Sequence, residues 1–338
     1  MAVTVALAGD TMLGRGVAEQ LAETGPHALF SDGVREAFAE ADLAVLNLEC
    51  CVSGRGRPWP APGKAFHFRA PPVAAEALAG LGVDCVNLAN NHALDFGADA
   101  LADTREHLAA AGIAAVGAGE DEAHARAPVF LKVRDARIAV VGVTDHPADF
   151  AAGTHRPGVA YADLTAGTPH WLLDTVRALR GRADAVLVTP HWGPNMAPGP
   201  LRYVRRAAGA LAAAGATLVA GTSAHVFQGV AGRVLFDLGD FIDDYVVDRL
   251  LRNDLGLLFL VTLERRAERA PLTPVRLEAV PLRLDFARTR LAAGADRRWI
   301  GGRFTEACRE FGTPVAEDGG RLVVRMDQSD GAVHRKRG

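Results

Sequence analysis

Short apolar runs alternate with amphipathic stretches over residues 3–222. The runs fall near 3–8, 43–48, 84–88, 113–116, 137–143, 184–189 and 217–221, and each predicts a strand. Amphipathic stretches near 14–24, 72–80, 97–111, 168–181 and 200–214 predict helices. Pro71-Pro72 and Pro198-Gly199-Pro200 act as helix-start punctuation. Strands that alternate with helices in this way predict α/β units around a largely parallel sheet.

The pattern changes after residue 222. Residues 225–236 and 255–285 carry short β runs with few helical signals between them, which predicts a second, mixed or antiparallel sheet rather than an independent domain. Residues 286–311 read as helical, and Arg321-Leu322-Val323-Val324-Arg325 as a last strand. The expected organisation is one domain over residues 1–326 followed by a frayed polar tail, 327–338. Residues 51–68, rich in Gly, Pro and Arg, form the longest irregular insertion. It reads either as a lid beside Glu49 or as a surface loop.

Polar side chains recur where these apolar runs stop. Ala8-Gly9-Asp10, Asn47-Leu48-Glu49 and Thr189-Pro190-His191 each end a predicted strand. Asn90-Asn91-His92 follows the run at 84–88, and Ala224-His225 follows the run at 217–221. Open α/β sheets present their reactive groups at the carboxyl ends of strands. Carboxylate, amide and imidazole groups are also the donors that hold divalent metals. Together these groups predict a catalytic metal centre assembled from distant parts of the chain.

Several of these residues have a plainer reading. Asp10 in Gly9-Asp10-Thr11 also suits a helix N-cap. Glu49 is harder to dismiss, because a carboxylate after an apolar strand needs solvent or a cation to offset desolvation. Arg15 suits either an anion contact near the first helix or a solvated surface position. Asp145-His146 ends another strand and reads either as pocket lining or as a turn. His27, His107, His124, His170 and His334 read as ordinary core or surface histidines.

The bulk numbers narrow the class of protein. The chain has 338 residues, 49% hydrophobic and 23% charged, as expected of a soluble globular protein. A net charge of −3 gives no reason to expect a nucleic-acid partner. Of the 37 basic residues only Lys64, Lys132 and Lys336 are lysine, a bias that reads as GC-rich coding. No apolar stretch approaches the ~20 residues of a membrane span, and no signal peptide is visible. Cys50, Cys51, Cys85 and Cys308 match neither a zinc spacing nor a disulfide framework, so a cytoplasmic location is expected. The dinucleotide fingerprint and the nucleophile elbow are both absent.

Taken in order, the motifs resemble the CapA family, the poly-γ-glutamate capsule-synthesis proteins related to calcineurin-like metallophosphoesterases. The resemblance rests on Gly9-Asp10-Thr11-Met12-Leu13-Gly14-Arg15, Asn47-Leu48-Glu49 and Lys64-Ala65-Phe66-His67-Phe68-Arg69-Ala70-Pro71. It continues through Leu88-Ala89-Asn90-Asn91-His92-Ala93-Leu94-Asp95-Phe96-Gly97, His191-Trp192-Gly193, His225-Val226-Phe227-Gln228 and Leu238-Gly239-Asp240-Phe241.

This resemblance implies a metallophosphoesterase-like, four-layer α/β/β/α sandwich with a site of one or two divalent ions, drawn from Mn, Zn, Fe or Mg. By position, Asp10 and His225 are expected to hold one metal, Asn91 and His191 the other, with Glu49 bridging. In such enzymes two metal ions clamp a phosphoryl group for in-line hydrolysis. His92 is expected to protonate the leaving group or to steady the transition-state charge, and Arg15 to orient the substrate anion. Lys64, His67, Asp145, His146 and Ser223 complete the expected substrate contacts.

The chain also departs from the family pattern. The usual His-Pro-His is Ser223-Ala224-His225 here, so one imidazole is lost, and the usual Leu-Gly-Asn-Phe carries Asp240. The expected function is a metal-dependent hydrolase acting on a small phosphorylated or polyanionic, glutamyl-type substrate. Two alternatives stand beside it: an enzyme acting at amide bonds, and a non-catalytic assembly protein with a decayed metal site.

Overall fold

Strand Ala2–Thr11 sets the architecture because both of its faces are covered. In the computed structural model, which describes residues 1–326, Val3, Val5 and Leu7 point into one apolar cluster and Ala6 and Ala8 into another. Period-two alternation of this kind is what a strand in the middle of a layered fold requires.

Ala2–Thr11 pairs in parallel with Leu43–Leu48, which continues through Cys85–Asn87 to Ala114–Val116. On its other side it pairs antiparallel with Leu255–Arg265, followed by Leu272–Asp285 and Arg321–Arg325. A second sheet has Ala136–Thr144, Ala185–His191, Leu218–Ala220 and Val234–Leu235 in parallel, with Val129–Val133 antiparallel at one edge.

Three apolar clusters separate four layers. The first lies between the first sheet and helices Arg15–Thr24, Asp32–Ala39, Val73–Leu81 and Gly97–Ala110, through Leu21, Phe38, Leu78 and Leu108. The second fills the space between the sheets, where Val5 and Leu7 share a cluster with Val140 and Leu187. The third lies under helices His170–Leu179 and Arg202–Ala214, through Val176 and Leu211. Helix Gly294–Arg309 closes the inter-sheet space with Phe304, whose ring is 6.0 Å from Phe259 and 6.3 Å from Phe227. The fold is therefore the expected α/β/β/α sandwich. Among the described residues, no helix is long and apolar enough to cross a membrane.

The C-terminal third corrects two expectations. Residues 225–236 and 255–285 do not build a sheet of their own. Val230–Ala231 and Val234–Leu235 extend the second sheet, and the hairpin of Leu255–Arg265 and Leu272–Asp285 extends the first. The reason is that Leu257, Phe259 and Val261 face the inter-sheet cluster while Leu258 and Leu260 face the helices. A strand apolar on both sides is buried best inside an existing sandwich. Residues 286–311 are not helical throughout, because Arg288–Leu291 first pairs with Leu272–Asp285. The expected tail, 327–338, lies outside the described residues.

One close approach brings two carboxylates together at the carboxyl end of the central strand of the first sheet. The short strand Asp240–Ile242 pairs in parallel with Ala2–Thr11, setting Asp10 beside Asp240. Asp10 N donates to Gly239 O at 2.9 Å. A Cβ on Gly9 would lie 1.8 Å from that same oxygen, so only glycine allows the two strands to come so near.

Candidate metal centre

The strand ends deliver their polar residues to one place between the sheets' carboxyl edges. Asp10 is the penultimate residue of its strand, so the N-cap reading does not hold; the first helix starts at Arg15 behind Gly14. Glu49 follows Leu43–Leu48 and is fixed by its backbone N–H donating to Thr11 O at 3.0 Å. Asn91 and His92 occupy the turn after Cys85–Asn87, where His92 N donates to Asn90 Oδ1 at 3.0 Å. His191 ends its strand, and His225 lies in the loop after Leu218–Ala220. In that loop Ser223 and His225 adopt φ values of 111° and 59°. Such left-handed, non-glycine backbone costs about 1–3 kcal/mol per residue and clusters at functional sites.

Asp10, Glu49, His225 and Asp240 are all buried, and each brings one ligand atom within 4.8 Å of the others. His225 Nδ1 is 2.8 Å from Asp240 Oδ1, 3.3 Å from Asp10 Oδ2 and 3.9 Å from Glu49 Oε2. The other Glu49 oxygen, Oε1, lies 3.9 Å from both His191 Nε2 and His92 Nε2. His191 Nε2 is also 2.9 Å from Asn91 Oδ1. Glu49 thus stands between two donor groups, Asp10, His225 and Asp240 on one side and Asn91 and His191 on the other.

Both Glu49 oxygens and Asp240 Oδ2 are buried without a hydrogen-bond partner. A bare carboxylate in such a place costs several kcal/mol, on the order of the penalty for any unpaired buried ion. A divalent cation removes that cost. An ion with bonds of about 2.0–2.6 Å spans donors up to about 4–5 Å apart, so the residues present fit one.

The electrostatics show the same imbalance. Burial, reinforced by the charge on Asp10, pushes the Glu49 carboxyl well above its usual range. Burial also raises Asp240, against the opposing effect of His225. For Asp10, burial is outweighed by hydrogen bonding to His225 and by the charges of His191 and His225, which hold the carboxyl low. Burial alone would lower His225, but the negative charges of Asp240 and Glu49 lift it well above the ordinary imidazole value. Burial drives His191 far down and His92 to about 4, so His92 is neutral at physiological pH.

Behind these groups lies a layer of amides. Asn47 Nδ2 donates to Asp10 Oδ1 at 2.7 Å, and Asn47 Oδ1 accepts from Asn87 and Asn90 at 3.2 and 3.1 Å. Asp95 accepts from His92 Nδ1 at 2.6 Å, and Phe68 stacks on the imidazole with ring centroids 4.0 Å apart. The buried Tyr245 hydroxyl has no hydrogen-bond partner, and its ring meets His225 edge-on at 5.3 Å.

The remaining expected residues are placed unevenly. Lys64 reaches the site, with Nζ 2.8 Å from Asp95 Oδ1 and donating to Asn91 O at 2.9 Å. Arg15 lies over Phe68 and Tyr245 but forms a two-pronged pair with Asp244, its Nη2 2.6 Å from Oδ1. His146 is paired with Asp145, and its ring centroid is 5.3 Å from that of His191. Asp145 Oδ2 accepts from Tyr203 Oη and Gly193 N. Ser223 N donates to Asp10 Oδ2 at 3.1 Å, while its hydroxyl is spent on Gly193 O. His67 is not brought in; its Nε2 lies 3.0 Å from Trp59 O in the 51–68 segment.

Sequence reasoning gives Asp240 and Tyr245 no place in the site, and it notes Asp95 only as the carboxylate of the 88–97 motif, without a role. Asp95 carries a usable signal, standing three residues after His92 in a turn where such pairs meet. Asp240 is visible only as a departure from a motif.

Residues 4–245 match the family described as "Bacterial capsule synthesis protein PGA_cap". A Mycobacterium tuberculosis protein named "Probable polyglutamine synthesis accessory protein" is 30% identical, with 96% of this chain and 94% of that one covered. The Bacillus subtilis "PGA biosynthesis protein CapA" is 29% identical over 72% of this chain and 63% of its own length. A solved structure of a hypothetical protein from Thermus thermophilus is similar with a TM-score of 0.48 and 16% identity, covering 83% of this chain and 100% of that one. On the extent of the family match and of the mycobacterial relative, this chain belongs to the PGA_cap family of CapA-type bacterial capsule synthesis proteins.

Proposed function

We propose that this chain is a metal-dependent hydrolase with a phosphoesterase-like centre, acting on a small phosphorylated or polyanionic substrate. The observation that carries the proposal is Glu49: a fully buried carboxylate, unpartnered at both oxygens, standing between two sets of ligand-type side chains. Asp10 and His225 on one side, Asn91 and His191 on the other, and Glu49 between them are the groups that would hold one or two ions. A divalent cation bound there supplies a Lewis acid for a phosphoryl oxygen and lowers the pKa of water.

The chain's own residues account for the rest. His92 is oriented by Asp95 at Nδ1, so its Nε2 faces Glu49 and is the atom that moves a proton. Phe68 covers one face of that ring and keeps water from it. Lys64 and Arg15, paired with Asp95 and Asp244, stand at the approach to the site as the cations that an anionic substrate would meet. The 51–68 segment, tied down through Lys64, serves as the cover on that side.

The test is metal analysis of the purified protein followed by p-nitrophenyl phosphate turnover with added manganese. Turnover that disappears with chelator and returns with metal supports the proposal. A fully loaded protein with no turnover rejects it.

The relatives' names, a polyglutamine synthesis accessory protein and a PGA biosynthesis protein, motivate a second reading, in which the substrate is a glutamyl chain and the bond cleaved is an amide. The same clamp polarises a carbonyl oxygen. Release of glutamate from a γ-glutamyl oligomer, without phosphate ester turnover, would select this reading. Binding of the oligomer without cleavage would instead select a non-catalytic accessory role.

A further inference from the structure

We infer that Asp240 is itself a metal ligand, giving this chain a centre of three carboxylates and one imidazole that favours a hard cation of the manganese or magnesium class over zinc. The inference deepens the metal-centre reading and rests on it.

Three observations converge on Asp240. Its Cα is in register with that of Asp10 across a parallel strand pair, so both carboxylates leave adjacent strands at the same level. Its side chain belongs to the buried quartet whose ligand atoms lie within 4.8 Å of one another. Its Oδ2 is buried with no hydrogen-bond partner, although Oδ1 is 2.8 Å from His225 Nδ1. A residue that served only to orient His225 needs one oxygen; here the second oxygen is also withdrawn from water, and the neighbouring Asp243 carboxyl adds negative charge rather than a donor. Desolvation of that kind is offset by a cation.

Ser223 adds to the preference for oxygen. Its hydroxyl donates to Gly193 O at 2.8 Å and offers nothing to the cluster. The donor set around Asp10 is therefore richer in oxygen than in nitrogen. Carboxylate oxygens suit manganese and magnesium, whereas imidazole and thiolate donors shift preference towards zinc.

Asp240→Asn is the informative substitution. It keeps an oxygen that can accept from His225 and removes only the charge. Titration calorimetry of the full, EDTA-stripped chain with manganese chloride, and separately with zinc chloride, reads the result. Asp240→Asn is expected to weaken manganese binding by more than the roughly tenfold to hundredfold that loss of a merely orienting partner costs, and zinc binding by less. Thermal unfolding in EDTA checks that the variant is folded.

Manganese affinity unchanged in Asp240→Asn would overturn the inference. So would a loss seen in Asp240→Ala but not in Asp240→Asn, since that pattern marks a residue that only orients His225. If the unsubstituted chain takes up neither metal, the metal-centre reading itself fails and this inference falls with it. No turnover is measured, so failure of the hydrolase reading alone leaves the result standing.

Discussion

Asp95 Oδ2 lies 2.6 Å from His92 Nδ1, while the other oxygen of the same carboxylate lies 2.8 Å from Lys64 Nζ. Phe68 N donates to Asp95 as well, at 2.6 Å. One buried carboxylate therefore joins the turn that carries His92 to the irregular segment that carries Lys64. The arrangement fixes which nitrogen of His92 faces Glu49.

His92→Ala should leave bound metal in place and lower phosphate ester turnover by on the order of 10²–10⁴, the usual contribution of a positioned proton-transfer group. Asp95→Asn should retain metal and lower turnover by a smaller factor, about tenfold to a hundredfold. Metal analysis and turnover on the same preparations check both. Equal loss of metal and activity in His92→Ala would contradict the role given to it.

Glu49→Gln should reverse sign with conditions. Its carboxyl is raised by burial and by Asp10, so in stripped protein its ionised form is disfavoured and stability falls as pH rises above the ordinary carboxylate value. In EDTA at neutral pH the variant should therefore be more stable than the parent, by on the order of 1–3 kcal/mol. With manganese the order should invert, because the parent gains about 2.7 kcal/mol at a hundredfold excess over Kd. Thermal unfolding with and without metal measures both arms, and a parent with no metal-dependent gain would refute the prediction.

Stripped protein should also lose stability in acid through His92. Burial lowers this imidazole from 6.5 to about 4. Between those values the unfolded chain binds a proton at His92 that the native chain does not, so stability rises with pH. The contribution is complete above pH 6.5 and is lost as pH falls to 4, a change of about 3 kcal/mol. Denaturant unfolding of parent and His92→Gln across that window should show a steeper slope for the parent. Parallel curves would show that His92 is not buried as a neutral ring.

The candidate centre is largely legible in the sequence because Asp10, Glu49 and His191 each interrupt or end an apolar run, where a charge or imidazole has no local reason to be. Asn91, His92 and His225 follow such runs directly. Asp240 is not legible in this way. Its place is set by a parallel pairing with Asp10 across more than two hundred residues of chain, and no local pattern encodes a partner. The same limit explains the C-terminal hairpin. Leu257, Phe259 and Val261 announce a buried strand, but only the gap beside Ala2–Thr11 decides which sheet receives it. Helix Asp32–Ala39 is hidden from periodicity because its buried face is only Val34, Ala37 and Phe38, too short a stripe for a period to emerge.

Gly9→Ala tests the contact on which the site's geometry depends. The added Cβ would meet Gly239 O at 1.8 Å and Gly239 C at 2.9 Å. Both are backbone atoms, so no rotamer change relieves the clash, and the strand Asp240–Ile242 has to move. Asp10 N would lose its 2.9 Å bond to Gly239 O, and Asp240 would shift relative to Asp10. Overpacking a well-filled interior costs about 1–3 kcal/mol, and more where backbone is displaced. Gly9→Ala should therefore lower the unfolding free energy by about 3 kcal/mol and weaken manganese binding in parallel. Gly54→Ala is the control, because nothing lies within 4 Å of its added Cβ, and its effect should stay within about 0.5 kcal/mol. Urea unfolding and metal titration on both variants read the outcome. A Gly9→Ala protein as stable as the control would mean that the two strands lie farther apart than a glycine contact requires.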